Sequence, residues 1–347
     1  MLGSYCKPLS EGSRICMQRH FRLGGGVARR AARLRGQSTI EYVLIIAVIS
    51  LVVVFAGPAV AGAIRNQFNE IANTLATGTV QRPSQPSTPS HGSGGSGGSG
   101  SNNPDQEQKD YLEEMKTVTD KDPRDWTLED QKKAAEDIAE KGTASVAFPK
   151  ARDAMDSGTK WSVTLNNGQT LVYRIVGINH DDLADGSGKA GLTFEATNNA
   201  LGAQRMNATD TNAGGWEKSE LRGRLNTGDL WSLLPAEIQS NVKAVTKMTD
   251  NKGGPGAGTA SATTDKVFPL SSTEVWGDLD SDGTQYEYYQ SKGVSTSSYS
   301  GASSSTYHWT RSVYPSDSIG FRLVIGNGGW GIFNATAASY VFPAFCF

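Results

Sequence analysis

Three short runs hold side chains whose types and spacing could do chemistry. Asp278-Leu279-Asp280-Ser281-Asp282-Gly283 alternates carboxylates and ends on glycine. That is the first half of a calcium loop, in which hard oxygen ligands surround a tight turn. Its twelfth position is Tyr289 instead of the bidentate Glu, and no flanking helices are evident. Ca²⁺ on Asp278, Asp280 and Asp282 therefore stands beside a second reading, a solvated acidic loop, and no other metal site is expected. His180-Asp181-Asp182 sets an imidazole beside two carboxylates, yet no Ser or Cys motif supplies a nucleophile for it. Such residues after a strand are ordinary loop formers. Gly326-Asn327-Gly328-Gly329-Trp330-Gly331 fits G-x-G-x-x-G after a strand, but no helix follows it. A hairpin turn accounts for it better than a dinucleotide site does. With four His and three Cys (Cys6, Cys16, Cys346), no catalytic residue can be assigned, and a non-enzymatic protein is expected.

The elements around these runs are unevenly charged. Of the 33 basic and 35 acidic side chains, residues 1–36 hold eight and one, which leaves 25 and 34 for the rest. A net charge of −2 thus divides into a head segment of +7 and a body of −9. The body shows no basic stripe, so nucleic acid is not an expected partner. Between the two lies YVLIIAVISLVVVFAGPAVAGAI, Tyr42 to Ile64, without a charge. As a helix it reaches ~35 Å, enough for a hydrocarbon core of ~30 Å. The basic residues before it place the N-terminal segment in the cytoplasm and the body outside.

The junction RGQSTIEY, Arg35 to Tyr42, puts Glu41 at the edge of that apolar run. An ionisable residue there is costly unless it finds a partner. A cut after Gly36 would free the amine of Gln37, which in a helical assembly can neutralise Glu41 of a neighbour. Gly36, Glu41 and Tyr42, the apolar helix, and the tail RNQFNEIANTL from Arg65 to Leu75 resemble the class III signal and helix of Flp (type IVb, tight-adherence) prepilins. The resemblance covers residues 34–75. It implies a prepilin peptidase cutting between Gly36 and Gln37, then assembly by an ATPase and platform proteins into a filament with other pilin subunits. Membrane lipid would surround the helix before assembly. Two features depart from that family. The leader is long, though Met17 as an alternative start shortens it to 20 residues, and over 270 residues follow the helix.

Residues 77–108 are rich in Pro, Gly and Ser and nearly free of apolar side chains, the composition of a disordered tether. Tyr111, Leu112, Met115 and Val118 then recur at helical spacing, and Thr127 with Asp130 forms a capping box for a helix that Gly142 stops. Beyond Trp161 the pattern becomes β-rich, with a hairpin about Asn167-Gly168, a strand at Gly191–Thr197 and a C-terminal meander. Trp216–Asn226 and Pro235–Met248 read as helices, and Lys266–Ser271 as a short strand. The expected organisation is a leader (1–36), a pilin helix (37–76), a linker (77–108), a helical stalk (109–150) and an extracellular α+β head (151–347). Within the head, LVYRIVGINHDDLADGSGKAGLTFEA (Leu171–Ala196), AGGWEKSELRGRLN, DKVFPLSSTEV, GTQYEYY, HWTRSVYP and VFPAFCF are similar to a bacterial surface domain of unknown function. That resemblance implies a C-type-lectin-like fold and assigns no site residues.

These observations lead to an expectation of a minor, tip or decorated Flp-type pilin. It would reside in the cytoplasmic membrane before assembly and in an extracellular pilus afterwards, displaying its head to an unknown surface ligand. A pseudopilin of a secretion system and a single-pass anchored surface protein are the competing readings.

Overall fold

The computed structural model describes residues 5–8, 14–17 and 104–347 except 257. Gly36, Gln37, Glu41, Tyr42, the apolar run and residues 77–103 of the linker lie outside the described residues. Among the described residues, no helix is long and apolar enough to cross a membrane. Near the N-terminus, β1 (Tyr5–Pro8) and β2 (Arg14–Met17) pair antiparallel.

Three helices come next: α1 (Pro104–Thr119), α2 (Leu128–Lys141) and α3 (Phe148–Ser157). Helix α1 begins inside the stretch expected to be linker, because Pro104 suits a first turn and the polar residues after it are adequate helix formers. The Thr127–Asp130 capping box forms as expected, and the Gly142 N–H caps the other end on the Ile138 carbonyl.

Residues 109–150 are not a stalk set apart from the head. Leu112–Phe347 belongs to one compact unit. Trp126 stacks on Trp161 at 6.4 Å and 9°, and its indole N–H donates to the Val118 carbonyl. The Asn179 amide donates to the Ile138 carbonyl across 3.0 Å. Gly191 lies so close to α2 that a Cβ there would sit 1.8 Å from the Ala135 carbonyl oxygen. The sequence shows the helical period of this segment, but not that its small residues Ala134 and Ala135 are spaced to admit a strand.

The head is α+β. One antiparallel sheet runs β3 (Trp161–Thr164), β4 (Thr170–Ile178), β5 (Leu192–Ala196), β14 (Ala344–Cys346) and β9 (Val267–Phe268). The expected hairpin joins β3 to β4, with Gly168 at φ +82° supplying the turn that other residues resist. The chain's last strand is thus a central one, packed between β5 and β9. A second sheet orders β12 (Trp330–Asn334), β11 (Gly320–Val324), β10 (His308–Val313), β13 (Ser339–Tyr340) and β6 (Ala203–Gln204). Between the sheets in sequence come short helices α4 (Glu220–Asn226), α5 (Asp229–Leu233) and α6 (Ala236–Gln239), then the ribbon β7 (Val245–Asp250) and β8 (Ala260–Asp265). Helices α7 (Ser272–Trp276) and α8 (Glu287–Ser291) complete the unit.

Two expected helices are shorter than their patterns. Trp216 precedes α4 in a turn, fully buried, with its indole N–H on Asp265 at 3.0 Å. The Pro235–Met248 helix is corrected: only Ala236–Gln239 is helical, and Val245 onward pairs with β8 over six registered positions. Val242, Val245 and Thr246 are β-branched, and a ribbon partner decides the contest against helical spacing.

Aromatic side chains fill the first sheet's core. Phe194 meets Tyr173 at 5.6 Å, Phe345 at 5.5 Å and Phe347 at 5.2 Å. In the second sheet Trp309 packs edge-on to Phe321 and Phe333. Such aromatic pairs each add about 0.5–1.5 kcal/mol beyond area burial.

Candidate functional site

Where the first sheet, the β7–β8 ribbon, α7 and β10 converge, the interior holds four opposed charges. Lys247 points inward from β7, and its Nζ lies 2.5 Å from Asp181 Oδ1 and 2.6 Å from Glu274 Oε1. Glu274 also receives the Arg311 guanidinium in a bidentate pair, Nη2 to Oε1 at 2.7 Å and Nη1 to Oε2. The remaining Arg311 donors reach Thr249 Oγ1 and the Pro269, Met248 and Asp282 carbonyls. All four charged side chains are at most 3% exposed.

Local sequence explains each placement. Asp181 follows β4, where Gly177 gives room for the Tyr286 ring; a Cβ there would lie 2.7 Å from it. Glu274 is the third residue of α7 and closes a capping box with Ser271. Arg311 lies at the middle of β10. Burial opposes ionisation of Asp181, but the Lys247 ammonium outweighs it and holds the carboxyl well below its usual range. Burial likewise pushes the Lys247 ammonium down, and Asp181 and Glu274 more than restore it. Glu274 is lowered against burial by Arg311 and then Lys247. Asp282, beside this cluster, is raised because burial exceeds the help from the Ser312 hydroxyl and Arg311.

Asp181 Oδ2 is equally occupied. It accepts from the Thr193 hydroxyl at 2.6 Å and the Tyr286 hydroxyl at 2.8 Å. The same Tyr286 oxygen lies 3.0 Å from Lys247 Nζ. Cys346, a buried free thiol, lies 3.5 Å from Oδ2, and burial together with Asp181 pushes the thiol well up. A second pair stands on the same sheet: Arg174 reaches Glu195 and the Tyr288 and Tyr289 hydroxyls, and burial raises Glu195 despite Arg174.

Above Tyr286 sits His180, its ring 4.1 Å from the tyrosine ring. Its Nδ1 is 3.1 Å from Glu287 Oε1 and its Nε2 is 3.2 Å from the Thr284 hydroxyl. The sequence shows no hydroxyl partner for His180, because Thr284 and Glu287 are more than a hundred residues away. Thr284 is exposed on its loop. Two surface depressions among the described residues lie elsewhere. One, of about 310 Å³, is bounded by α2, the 183–190 loop and Phe347; the other, of about 460 Å³, by Arg124, Trp126, Lys160 and Trp161.

The carboxylates of the acidic run bond to protein groups. Asp278 accepts from the Thr296 N–H and hydroxyl at 2.9 and 2.7 Å. Asp280, at φ +64°, pairs with Arg322 and accepts from Ser272 Oγ. Asp282 is buried and accepts from the Asp250 N–H at 2.9 Å. Each carboxylate serves a different partner, and among the described residues no group of three His, Cys, Asp or Glu side chains could hold a metal. The glycine run at 326–331 is the expected hairpin turn between β11 and β12, and at Gly328, φ +88°, a Cβ would fall 2.0 Å from the Tyr299 carbonyl oxygen. His308 is a buried strand residue stacked on Phe342 at 4.0 Å, and burial pushes its imidazole down to about 3.

Three of the four charged residues of this site fall in a span that matches a known sequence family. Residues 182–347, just under half of the chain, match the family described as a domain of unknown function (DUF6273). The matched span holds Lys247, Glu274 and Arg311, while Asp181 precedes it by one residue. No curated protein and no solved structure matches the chain.

Proposed function

We propose that this protein is an Flp-type pilin, a minor, tip or decorated subunit, that displays its α+β head outside the cell for attachment. The observation that carries the reading is the junction of Gly36, Glu41 and Tyr42 with the uncharged run to Ile64. A peptidase cut after Gly36 removes the +7 leader and frees the Gln37 amine to pair with Glu41 of a neighbouring subunit in the filament. The membrane-embedded precursor, its prepilin peptidase, the assembly ATPase and platform, and fellow subunits are the partners this implies.

The head's construction supports display over turnover. Its buried Asp181, Lys247, Glu274 and Arg311 are held in internal ion pairs, and Trp126, Trp161, Trp216, Trp276 and Trp309 are core residues. Trp231 and Trp330 stay partly exposed, each with a cation over its ring, Lys266 and Arg322 respectively. The finer fold reading is C-type-lectin-like. Its support is the order of hairpin, short helices and looped strands, with the terminal strand returning beside β5. Glu41→Ala tests the assembly step. The variant is expected to be cleaved normally yet to leave the sheared surface fraction nearly empty of filaments. Wild-type filament yield would refute the charge pairing.

A further inference from the structure

We propose that Lys247 and Asp181 condense into a side-chain amide, an autocatalytic cross-link tying the β7–β8 ribbon to the loop after β4. The observation is the arrangement of donors and acceptors around one buried amine. Lys247 Nζ touches Asp181 Oδ1 at 2.5 Å and Glu274 Oε1 at 2.6 Å. The other oxygen of Asp181, Oδ2, accepts two hydroxyl hydrogen bonds, from Thr193 at 2.6 Å and Tyr286 at 2.8 Å. Amine, electrophilic carbon, base and polarising donors are therefore assembled in a space from which water is excluded. This proposal is independent of the pilin reading.

The step balances without any added reagent. One ammonium proton passes from Lys247 Nζ to Asp181 Oδ1, which leaves a neutral amine facing a carboxylic acid, and Glu274, kept ionised by Arg311, takes a second proton as the nitrogen attacks. Nζ attacks Asp181 Cγ while the Thr193 and Tyr286 hydroxyls stabilise the negative charge that grows on Oδ2, as donors do at an oxyanion. The Nζ–Cγ bond forms and the Cγ–Oδ1 bond breaks. Oδ1 leaves as water, carrying two of the three ammonium protons, one returned by Glu274 and one passed from Nζ. The latter passes directly, because Nζ and Oδ1 are 2.5 Å apart. Glu274 ends as the carboxylate it began as, paired to Arg311.

Two physical terms drive a condensation that water would oppose. Burying an ammonium and a carboxylate carries a desolvation penalty of several kcal/mol per ion, and a neutral amide escapes it. Fixing the reactants in contact supplies an effective concentration of about 10⁵ M or more. The reaction need occur only once per molecule, so the strongly paired ground state slows it without preventing it. Phe268 under Nζ at 4.5 Å and the Tyr286 ring at 5.2 Å wall the cluster against hydrolysis.

Intact-mass spectrometry of the purified full chain tests this directly, followed by trypsin digestion. The expected mass is that of the sequence less one water. The expected digest contains a branched species joining peptide 175–189 to peptide 244–252 through Asp181 and Lys247, with no cleavage after Lys247. Asp181→Ala is expected to restore the lost water and cleavage at Lys247. Lys247→Arg should restore the water as well, and neither result depends on the variant's stability because both are read on denatured protein. An unmodified wild-type mass, or a water loss with the two peptides recovered separately, would overturn the proposal.

Discussion

The head is held together in two ways, and its two centres respond differently to change. Around Phe194, the core is a cluster of aromatic rings whose attraction is non-directional and spread over many contacts. Around Glu274, the core is four opposed charges in a chain, each balanced by its immediate neighbours, Asp181 by Lys247, Lys247 by Asp181 and Glu274, and Glu274 by Lys247 and Arg311. The first kind of centre tolerates a similar shape in place of the original. The second tolerates almost nothing, because removing one partner strands a buried charge.

The largest effect should follow from breaking the ionic centre. Arg311→Met leaves Glu274 with Lys247 alone and is expected to destabilise the head by about 3–5 kcal/mol in denaturant unfolding. Arg311→Lys should rescue little of this, since an ammonium cannot reproduce the bidentate fork or its bonds to Thr249 and the carbonyls. Acid titration gives the next effect. Below about pH 6.5 the unfolded chain protonates the His308 imidazole, which the folded chain refuses until about pH 3. Stability should therefore fall with pH across that window by about 1.4 kcal/mol per pH unit, and His308→Phe should remove that contribution. In the aromatic centre, Phe194→Leu should cost under about 1.5 kcal/mol, provided its neighbours repack. The smallest effect belongs to the acidic loop. Asp278→Asn should change stability by less than about 0.5 kcal/mol, because it is exposed and holds only Thr296. Excess Ca²⁺ should leave the melting temperature of the full chain unchanged.

These two centres also differed in how legible they were. The aromatic strands announce themselves locally: WSVT and TLVYRIVGI flank Asn167-Gly168, and the C-terminal strands alternate around clear turns. The capping box at Thr127 and the turn at Gly326–Gly329 were equally local, and the structure shows both. The ionic centre left no such trace. Asp181, Lys247, Glu274 and Arg311 come from four separate segments. Asp181 reads as an ordinary loop former, and Lys247 falls in an expected helix that does not form. Only pairing between β7 and β8 turns Lys247 inward. The acidic triplet shows the converse case. Its spacing matches a ligand pattern, yet the three side chains are drawn off by Thr296, Arg322 and Asp250.

The same contrast extends to the chain as a whole. The proposed leader and helix act through one short junction, whereas the head depends on contacts distributed over more than two hundred residues. A single mass measurement therefore tests the central claim. The protein should be expressed in full with an active prepilin peptidase and the N-terminal peptide of the product read by mass spectrometry. The account predicts a mature chain beginning at Gln37, with Glu41 as its fifth residue. A product that retains residues 1–36 in the presence of a peptidase that cleaves its other substrates would contradict it.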